Sequence, residues 1–246
     1  MRKRLAYLLS VFVLAIATTV TVAVFASPEA AADECYTWNR TLSQGASGAD
    51  VTQLQIRVAG WASSGENIAL DGSYGPATAN AVKRFQAGYG LAADGVAGPA
   101  TFSKIYALQD ADCTPVHFAY SEFDDNCGAN NFNGGMVSAA TAKENIRRIM
   151  WQLEAMRHKL GDKPLVVTSS FRSVSCNASV GGSSSSLHMY GQAADLGLSS
   201  GPSQCAMWNA GKTAGFEELL SQGYPDHNDH THVGNKSSRF WSAPNC

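Results

Sequence analysis

The residues best suited to chemistry in this chain of 246 residues are histidines and aspartates gathered near its C-terminal end. Four of the six histidines lie within the last 60 residues, at His188, His227, His230 and His232. Asp195 follows the first of them by seven residues, and Asp229 stands immediately before the third. Histidine is the commonest metal ligand, and two imidazoles with one carboxylate and an open position are how catalytic zinc is held. The spacing therefore predicts a metal site.

The spacing leaves the ligand set open. Alternate side chains of a strand share one face, so His230 and His232 would point the same way and either or both could bind the ion. A hydrogen-bonded polar cluster without metal is the alternative interpretation. His117 and His158 stand apart from the group and are assigned no role. A catalytic zinc would lower the pKa of a coordinated water to about 7 and polarise a substrate carbonyl.

The N-terminal residues predict export. Three basic residues at positions 2–4 precede an apolar run over residues 5–25, and an Ala-Ala-Ala stretch at 30–32 offers a cleavage site. This is the pattern of a secretory signal peptide over residues 1–32. A membrane anchor is the alternative, because about 20 apolar residues can span a bilayer. We expect a cleaved, secreted protein that is not attached to a membrane.

The overall charge narrows the range of partners. The formal net charge is −2, and only 15% of the residues are charged. Nucleic-acid binding driven by bulk charge requires a basic surface, so no nucleic-acid partner is expected. We expect a monomer.

The predicted export indicates that the six cysteines form disulfides. All of them follow the signal segment, and an oxidising compartment favours disulfides. Six cysteines allow 15 connectivities, among which the sequence does not choose. Nearest-neighbour pairing is the simplest, because each bridge then lies within one domain: Cys35–Cys113, Cys127–Cys176 and Cys205–Cys246. The chain has no C-x-x-C pair, so zinc binding by cysteines is disfavoured.

A short internal repeat marks the first domain, which we place at residues 33–113. Residues 71–78, DGSYGPAT, recur 23 positions later as DGVAGPAT at 94–101. Each copy contains an Asp-Gly turn followed by Gly-Pro and a helix start. Apolar residues at helical spacing flank the first copy on both sides. The pattern predicts a small all-α bundle of about three helices without a catalytic constellation.

The remaining residues, 114–246, have the pattern of an α+β domain with helices and a small antiparallel sheet. Thr141 and Glu144 form a capping box that opens a helix, and apolar residues at i, i+3 and i+4 steps continue it to Gly161. Short runs predict strands at 165–169, 193–198 and 230–233. We expect the charged side of the helix to be solvated; it carries Arg147, Arg148, Glu154 and Arg157.

The repeat carries a family resemblance. Residues 71–105, DGSYGPATANAVKRFQAGYGLAADGVAGPATFSKI, resemble the bacterial peptidoglycan-binding domain that accompanies many wall hydrolases. That family is a three-helix bundle that docks its enzyme to the cell wall. The resemblance implies that the first domain binds peptidoglycan and that the protein is associated with the cell wall.

The histidine cluster carries a second resemblance. Residues 186–195, SLHMYGQAAD, match the signature S-x-H-x-x-G-x-A-x-D of the zinc D-alanyl-D-alanine metallopeptidases, a family of carboxypeptidases, dipeptidases and phage endopeptidases. The family's second element is an acidic residue three positions before the last histidine ligand, which Asp229 and His232 match. The segment Ser170–Ser173 resembles the family's arginine-bearing segment.

The second resemblance implies a zinc ion and a group that binds substrate oxygens. His188, Asp195 and His232 would bind one zinc ion per chain. Arg172 would bind carbonyl or carboxylate oxygens of the substrate and stabilise charge in the tetrahedral intermediate. A D-Ala-D-Ala terminus ends in a carboxylate, which suits a guanidinium through bidentate hydrogen bonds. A surface ion pair is the alternative interpretation of Arg172.

The resemblance also implies a general base, which would be Asp229. It would take a proton from the attacking water and pass it to the leaving amine. Many relatives carry Glu at this position, so the reach of the shorter Asp229 is in question and His230 could share the proton transfer. His227 and His230 would otherwise support the ligands or face the substrate.

The function that follows is a secreted zinc carboxypeptidase that hydrolyses the C-terminal D-Ala-D-Ala bond of peptidoglycan stem peptides. One alternative is an endopeptidase that cuts cross-bridges with the same site. Another is a non-catalytic wall-binding protein with a structural zinc. A serine mechanism is disfavoured, because the serine run at 183–186 is accompanied by no S-x-x-K or G-x-S-x-G motif.

Overall fold

Among the residues that the structure describes, Gly-Pro pairs begin two of the three α-helices that precede residue 113. The computed structural model describes residues 35–198 and 201–246, so the signal peptide predicted at 1–32 lies outside the described residues. The three helices are α1 (Ala49–Val58), α2 (Pro76–Gly88) and α3 (Pro99–Ala107). Proline stands in the first turn of α2 and of α3, where its missing N–H has no helical partner to lose. The predicted three-helix bundle is confirmed.

A buried glutamine fastens each Asp-Gly turn of the repeat. In the first copy, the Gln55 amide nitrogen donates to Asp71 Oδ1 at 2.9 Å, to the Ser73 carbonyl at 3.1 Å and to Thr78 Oγ1 at 3.2 Å. Its amide oxygen accepts from the Gly72 N–H at 3.0 Å. Both polar atoms of the buried amide are therefore paired.

The second copy repeats these contacts. The Gln86 nitrogen donates to Asp94 Oδ1 at 2.9 Å and to the Val96 carbonyl and Thr101 Oγ1, each at 3.0 Å, and its oxygen accepts from the Gly95 N–H at 2.9 Å. The turn glycine has a φ of 69° in the first copy and 75° in the second, a region that other residues rarely adopt. We call the two arrangements the glutamine staples.

The second part of the chain consists of a long helix, two short helices and a five-stranded sheet. Its elements are α4 (Ala139–Lys159), β1 (Val167–Ser169), α5 (Val174–Ser179), β2 (Ala193–Gly197), α6 (Gln204–Gly211), β3 (Glu218–Leu220), β4 (His230–Gly234) and β5 (Phe240–Ser242). The long helix begins two residues before the predicted Thr141, because Ser138 is its N-cap and accepts from the Thr141 N–H. α5, α6, β3 and β5 were not predicted.

The charged side of α4 is packed rather than solvated, so that expectation is wrong. Trp151 and Ala155 of α4 belong to the hydrophobic core formed by α1, α2 and α3. Glu154 is only 1% exposed and lies within hydrogen-bond distance of His117 and Arg157. The physical reason is that the helical bundle covers this side of α4, which leaves its charged groups to pair with each other.

The sheet has the strand order β1-β2-β4-β3-β5 and is mixed rather than purely antiparallel. Its first four strands pair antiparallel, whereas β5 runs parallel to β3. The correction has a topological cause. Both edges of β4 are occupied by β2 and β3, so β5 must add to the outer edge of β3. A turn reverses the chain after β4, and this direction is parallel to β3.

Three disulfides confirm the predicted nearest-neighbour pairing. They join Cys35 to Cys113, Cys127 to Cys176 and Cys205 to Cys246, each with a Cα–Cα distance of 5.2 Å. The first closes the helical bundle, and the third ties α6 to the C-terminal residue. The domain boundary at 113 stays a prediction, since the described residues belong to one compact unit. Within them, no helix is both long and apolar enough to cross a membrane.

Candidate metal centre

Two adjacent strands and one tight turn position the candidate ligands. Asp195 on β2 and His232 on β4 are direct cross-strand partners, so their side chains lie on the same face of the sheet. His188 comes from the single 3₁₀ turn Leu187–Tyr190 that precedes β2. Gly191 ends this turn with a φ of 65°, and a Cβ there would lie 2.7 Å from the Ala142 carbonyl oxygen. The motif glycine is therefore required for both its conformation and its size.

The structure brings His188, Asp195 and His232 together. One potential ligand atom from each lies within 4.8 Å of the other two, and all three residues are buried. His188 Nε2 is 3.3 Å from Asp195 Oδ1, and His232 Nδ1 is 2.8 Å from the same oxygen. The ligand atoms of tetrahedral zinc, with bonds of about 2.0–2.2 Å, lie roughly 3.3 Å apart. The His188–Asp195 distance matches this value, and the 2.8 Å between His232 and Asp195 is the length of a hydrogen bond, so the three side chains lie close enough together to hold a metal ion.

The groups beside the two histidines indicate which ring nitrogen of each faces Asp195. His188 Nδ1 lies 2.5 Å from the Ser170 carbonyl oxygen, to which it donates, and this directs Nε2 towards Asp195. On the other side of its ring, His232 Nε2 is buried and makes no hydrogen bond of good geometry, and its charged neighbour is Glu218 Oε1 at 3.4 Å. A histidine that binds metal through one ring nitrogen usually has a carboxylate or carbonyl beside the other, and Glu218 stands in this place. Two imidazoles and one carboxylate form the donor set that zinc prefers.

The electrostatics of the cluster favour charge on both kinds of group. Burial would raise the pKa of Asp195, but His188 and His232 outweigh it and hold the pKa well below 3.8. Burial likewise opposes protonation of His232, but Asp195 and Glu218 raise its pKa to about 9. Since a metal ligand must give up its proton, a proton on His232 competes with a cation for this position.

Arg172 lies beside the cluster at the edge next to β1. Its Nη2 donates to Asp195 Oδ2 at 2.9 Å, and its Nε donates to Ser169 Oγ at 2.9 Å. Asp125 Oδ2 lies 3.5 Å from the same Nε. The guanidinium also lines the large cavity over the cluster, which has a volume of about 790 Å³. Arg172 is therefore held where a substrate oxygen in this cavity would meet it.

The predicted proton-transfer residues differ in exposure: two histidines line the cavity, and Asp229 lies at the surface. His227 and His230 line the cavity, with their ring centres 4.7 Å apart. His230 Nε2 is 3.7 Å from Asp195 Oδ1, and its Nδ1 is 2.8 Å from Asp229 Oδ1. The Asp229 side chain is 89% exposed, and the hydrogen bond from His230 lowers its pKa. Asp229 thus contacts His230 and is not among the residues that line the cavity.

Sequence inspection missed a carboxylate on the opposite side of the cluster. Glu218 on β3 places Oε1 3.4 Å from His232 Nε2, and its Oε2 is 2.5 Å from Lys236 Nζ. Burial would raise the pKa of Glu218, but His232 and Lys236 lower it to about 2. No spacing signal connects residue 218 with residue 232, because β3 is only three residues long. Both Glu218 and Lys236 line the cavity.

Comparisons with known proteins bear directly on this cluster. The zinc D-Ala-D-Ala carboxypeptidase of Streptomyces albus G is 56% identical over 232 residues, which cover 94% of this chain and 90% of that protein. The sequence model of the family described as Peptidase M15 matches residues 116–234, which contain the whole cluster. The chain belongs to the M15 peptidases. A model described as a peptidoglycan binding domain also matches residues 47–105 of this M15 peptidase.

Solved structures resemble parts of this M15 peptidase. A peptidoglycan-binding protein from Clostridioides difficile in complex with glutamine hydroxamate is 43% identical, over 26% of this chain and 39% of its own, with a TM-score of 0.24. The Burkholderia AP3 phage endolysin is 28% identical, over 49% of this chain and 38% of its own, with a TM-score of 0.25.

Proposed function

We propose that this M15 peptidase is a secreted zinc D-alanyl-D-alanine carboxypeptidase that hydrolyses the last peptide bond of peptidoglycan stem peptides. The observation that carries the proposal is the convergence of three buried ligand atoms, from His188, Asp195 and His232, at the floor of a large cavity. The name of the Streptomyces albus G relative supports the substrate and the metal. The three disulfides are consistent with an oxidising compartment outside the cell.

His188, Asp195 and His232 would hold one zinc ion. Zinc, when bound in such a site, supplies a Lewis acid that activates water near neutral pH and polarises a carbonyl. The backbone of this chain orients the ligands: the Ser170 carbonyl fixes the ring of His188, and the β2–β4 pairing sets Asp195 opposite His232. This arrangement would be in place before substrate arrives, which reduces the reorganisation needed during the reaction.

Arg172 would bind the C-terminal carboxylate or the scissile carbonyl oxygen of the substrate. Its bonds to Ser169 and Asp195 fix the guanidinium plane, so it would act as a pre-oriented donor. Holding the terminal carboxylate at one point would place the last peptide bond over the cluster and would reject chains that lack a free C-terminus. This is the feature that favours carboxypeptidase over endopeptidase activity.

Asp229 and His230 would together move the proton. The His230 ring faces the cavity, and Asp229 holds its other nitrogen at 2.8 Å. His230 would accept the proton of the attacking water and return it to the leaving D-alanine amine, while Asp229 would stabilise the imidazolium. The shorter aspartate would then need no direct reach to the water. His227, which burial and its histidine neighbours keep at a lowered pKa, would remain neutral beside it.

Residues 47–105 would hold the enzyme on its polymeric substrate. The match to the peptidoglycan binding domain supports this role. The three helices would then keep the cavity near stem peptides on the wall and raise the local substrate concentration.

The test is the release of free D-alanine from two substrates by the purified protein. We expect release from an N-acetylated tripeptide ending in D-Ala-D-Ala, loss of release on treatment with EDTA, and recovery with added Zn²⁺. Conversion of cross-linked wall into uncross-linked peptides, without release of free D-alanine from either substrate, would favour the endopeptidase. Wall binding without any hydrolysis would favour a non-catalytic protein. His230→Ala should lower kcat by about 10²- to 10⁴-fold. His158→Ala serves as the control, because His158 lies outside the cavity.

A further inference from the structure

The cavity over the metal cluster does not end at Lys236. A second cavity of about 430 Å³ shares Ser185, Leu187 and Lys236 with it as lining residues. A third cavity, also about 430 Å³, shares Asn67, Arg148 and Lys236, among others, with the second. The three cavities therefore follow one another from the metal cluster to the loop that connects α1 and α2. We call the second and third cavities together the side cleft.

The order of strands gives the substrate a direction across the site. Arg172 is bonded to Ser169 at the end of β1, whereas Lys236 is bonded to Glu218 on β3. Between these two strands lie β2 and β4, which carry the metal cluster. With strands about 4.8 Å apart, β1 and β3 are roughly 14 Å apart. Arg172 and Lys236 thus flank the cluster on opposite sides, and a chain whose C-terminal carboxylate lies at Arg172 and that crosses the cluster reaches Lys236.

The side cleft has the chemistry to receive an amide-rich chain. Tyr190 and Gln192 contribute a phenol and an amide to its lining. Arg148 contributes a largely desolvated guanidinium, whose Nε has no hydrogen-bond partner. Glu217 is a partly buried carboxylate whose pKa is raised by burial. This mixture of donors and acceptors matches peptide groups rather than an apolar ligand.

The walls of the side cleft are held in place independently of any ligand. The Asn235 side chain exchanges two hydrogen bonds with Gln152 of α4, at 2.8 and 3.0 Å. Arg148 on the same helix donates to the Asn67 side chain and to the Ile68 carbonyl, which ties the α1–α2 loop to α4. Asn235 and the Asn67–Arg148 pair are therefore held by partners within the protein, and the cleft would take a ligand without large rearrangement.

We propose that the side cleft binds the part of the stem peptide that precedes the scissile bond, and leads it from the metal cluster to the helical bundle. This rests on the proposed carboxypeptidase function and extends it to the recognition of longer substrates. Contacts in the cleft lie away from the reacting bond, so they contribute binding energy that a short peptide lacks. The enzyme then distinguishes wall peptides from short peptides that share the same terminus.

The experiment compares two substrates with the same D-Ala-D-Ala terminus on the full chain. One is a short N-acetylated tripeptide, and the other is a disaccharide–pentapeptide. Ser237 lines both parts of the side cleft, is exposed and lies outside the cavity over the metal cluster. Ser237→Trp should raise KM for the long substrate at least about 10-fold, the equivalent of 1.4 kcal/mol, and change KM for the tripeptide less than about 2-fold.

Ser238→Trp is the matched control, because Ser238 is the next residue of the same turn and lines none of these cavities. It should leave both KM values unchanged. Gln192→Ala, which removes a side chain without adding bulk, should raise KM for the long substrate about 3-fold or more. Zinc content and the Tm show whether each variant is folded.

An unchanged KM for the long substrate in Ser237→Trp and Gln192→Ala would overturn the proposal. An equal rise for both substrates in a folded, zinc-loaded variant would overturn it too, since the cleft would then not distinguish the longer chain. Failure of the wild-type protein to hydrolyse either substrate is a different result, because it would refute the proposed function itself.

Discussion

Among the described residues, the glutamine staples and the metal cluster are both buried and polar, but they differ in how their atoms are paired. In the glutamine staples, the amide nitrogen and oxygen of Gln55 and of Gln86 each meet partners within the turn that they fasten. In the metal cluster, His188 Nε2 and His232 Nδ1 converge on one oxygen of Asp195, and His232 Nε2 makes no hydrogen bond, although Glu218 Oε1 lies 3.4 Å away. The first arrangement is complete, whereas the second is not.

This difference distinguishes a polar cluster that stabilises the fold from one that binds a ligand. A buried polar group is stable when its hydrogen bonds are made, and it is costly when they are not. A cluster that satisfies itself serves the fold, because nothing else is needed to balance its desolvation. A cluster that does not satisfy itself is explained by a ligand, and here the donor set indicates zinc.

Removing a ligand from the incomplete cluster should have the largest effect. We expect Asp195→Ala to lose its zinc and at least about 10³-fold in kcat/KM, because the metal is worth several kcal/mol of transition-state stabilisation. Metal analysis and D-alanine release measure the two effects. The matched control is Asp94→Ala in a staple, which should retain zinc and turnover. An equal loss of zinc and of kcat/KM in both variants would show that the two clusters do not differ in function.

A smaller effect is expected at the carboxylate beside His232. Glu218 lies 3.4 Å from His232 Nε2, and groups that orient a metal ligand typically contribute 10- to 100-fold in metal affinity. Glu218→Gln should therefore weaken zinc binding by about this factor, as measured by competition with a chromogenic chelator. Glu217→Gln is the control on the adjacent residue. If both variants bind zinc like the wild type, Glu218 does not support the ligand.

The glutamine staples should affect stability and not chemistry. Gln86→Ala removes four hydrogen bonds and leaves buried partners unpaired, which costs about 1–3 kcal/mol in the free energy of unfolding. Denaturant unfolding measures this cost, and Gln55→Ala should behave alike. Turnover of the short tripeptide should be unchanged at a temperature where the variant is folded. A large fall in kcat would show that the staple is not purely structural.

Elements and site residues could be predicted from the sequence where a local pattern of several residues marks them. The Gly-Pro helix starts and the ligand motif around His188 are local patterns, and both led to the correct elements. The staples were not foreseen, because Gln86 precedes its turn by eight residues and glutamine has no strong positional preference. β3 and β5 have three residues each, too few to show a period of two, so Glu218 and the parallel pairing were missed.

The packing of α4 could not be predicted for another reason. Its apolar stripe was correctly assigned to the core, but a second surface is also buried, by the helical bundle. A helix between two layers needs apolar or paired groups on both sides, and Glu154 with Arg157 looks the same in sequence whether solvated or paired. The distinction depends on contacts between distant parts of the chain.

The smallest expected effect is on the pH dependence of stability, and it concerns Lys159, which is buried and hydrogen-bonded but has a shifted pKa. Lys159 donates to the Gly60 and Thr213 carbonyls, yet burial, with a smaller contribution from Arg84, lowers its pKa to about 8. Between pH 8 and its unfolded value of 10.5, the unfolded chain holds more protons, so stability from this group rises with pH. From pH 8 to 9.5, wild type should gain about 1.5 kcal/mol relative to Lys159→Met. A constant difference in unfolding free energy would contradict this.

We propose that the cluster of His188, Asp195 and His232 is a zinc site that carries the activity. The most direct measurement is the zinc content of the purified protein, followed together with D-alanine release while a chelator removes the metal. We predict one zinc per chain, with activity lost in proportion to zinc and recovered when zinc is returned. Full activity in protein without bound metal, or zinc that persists in Asp195→Ala, would contradict the account.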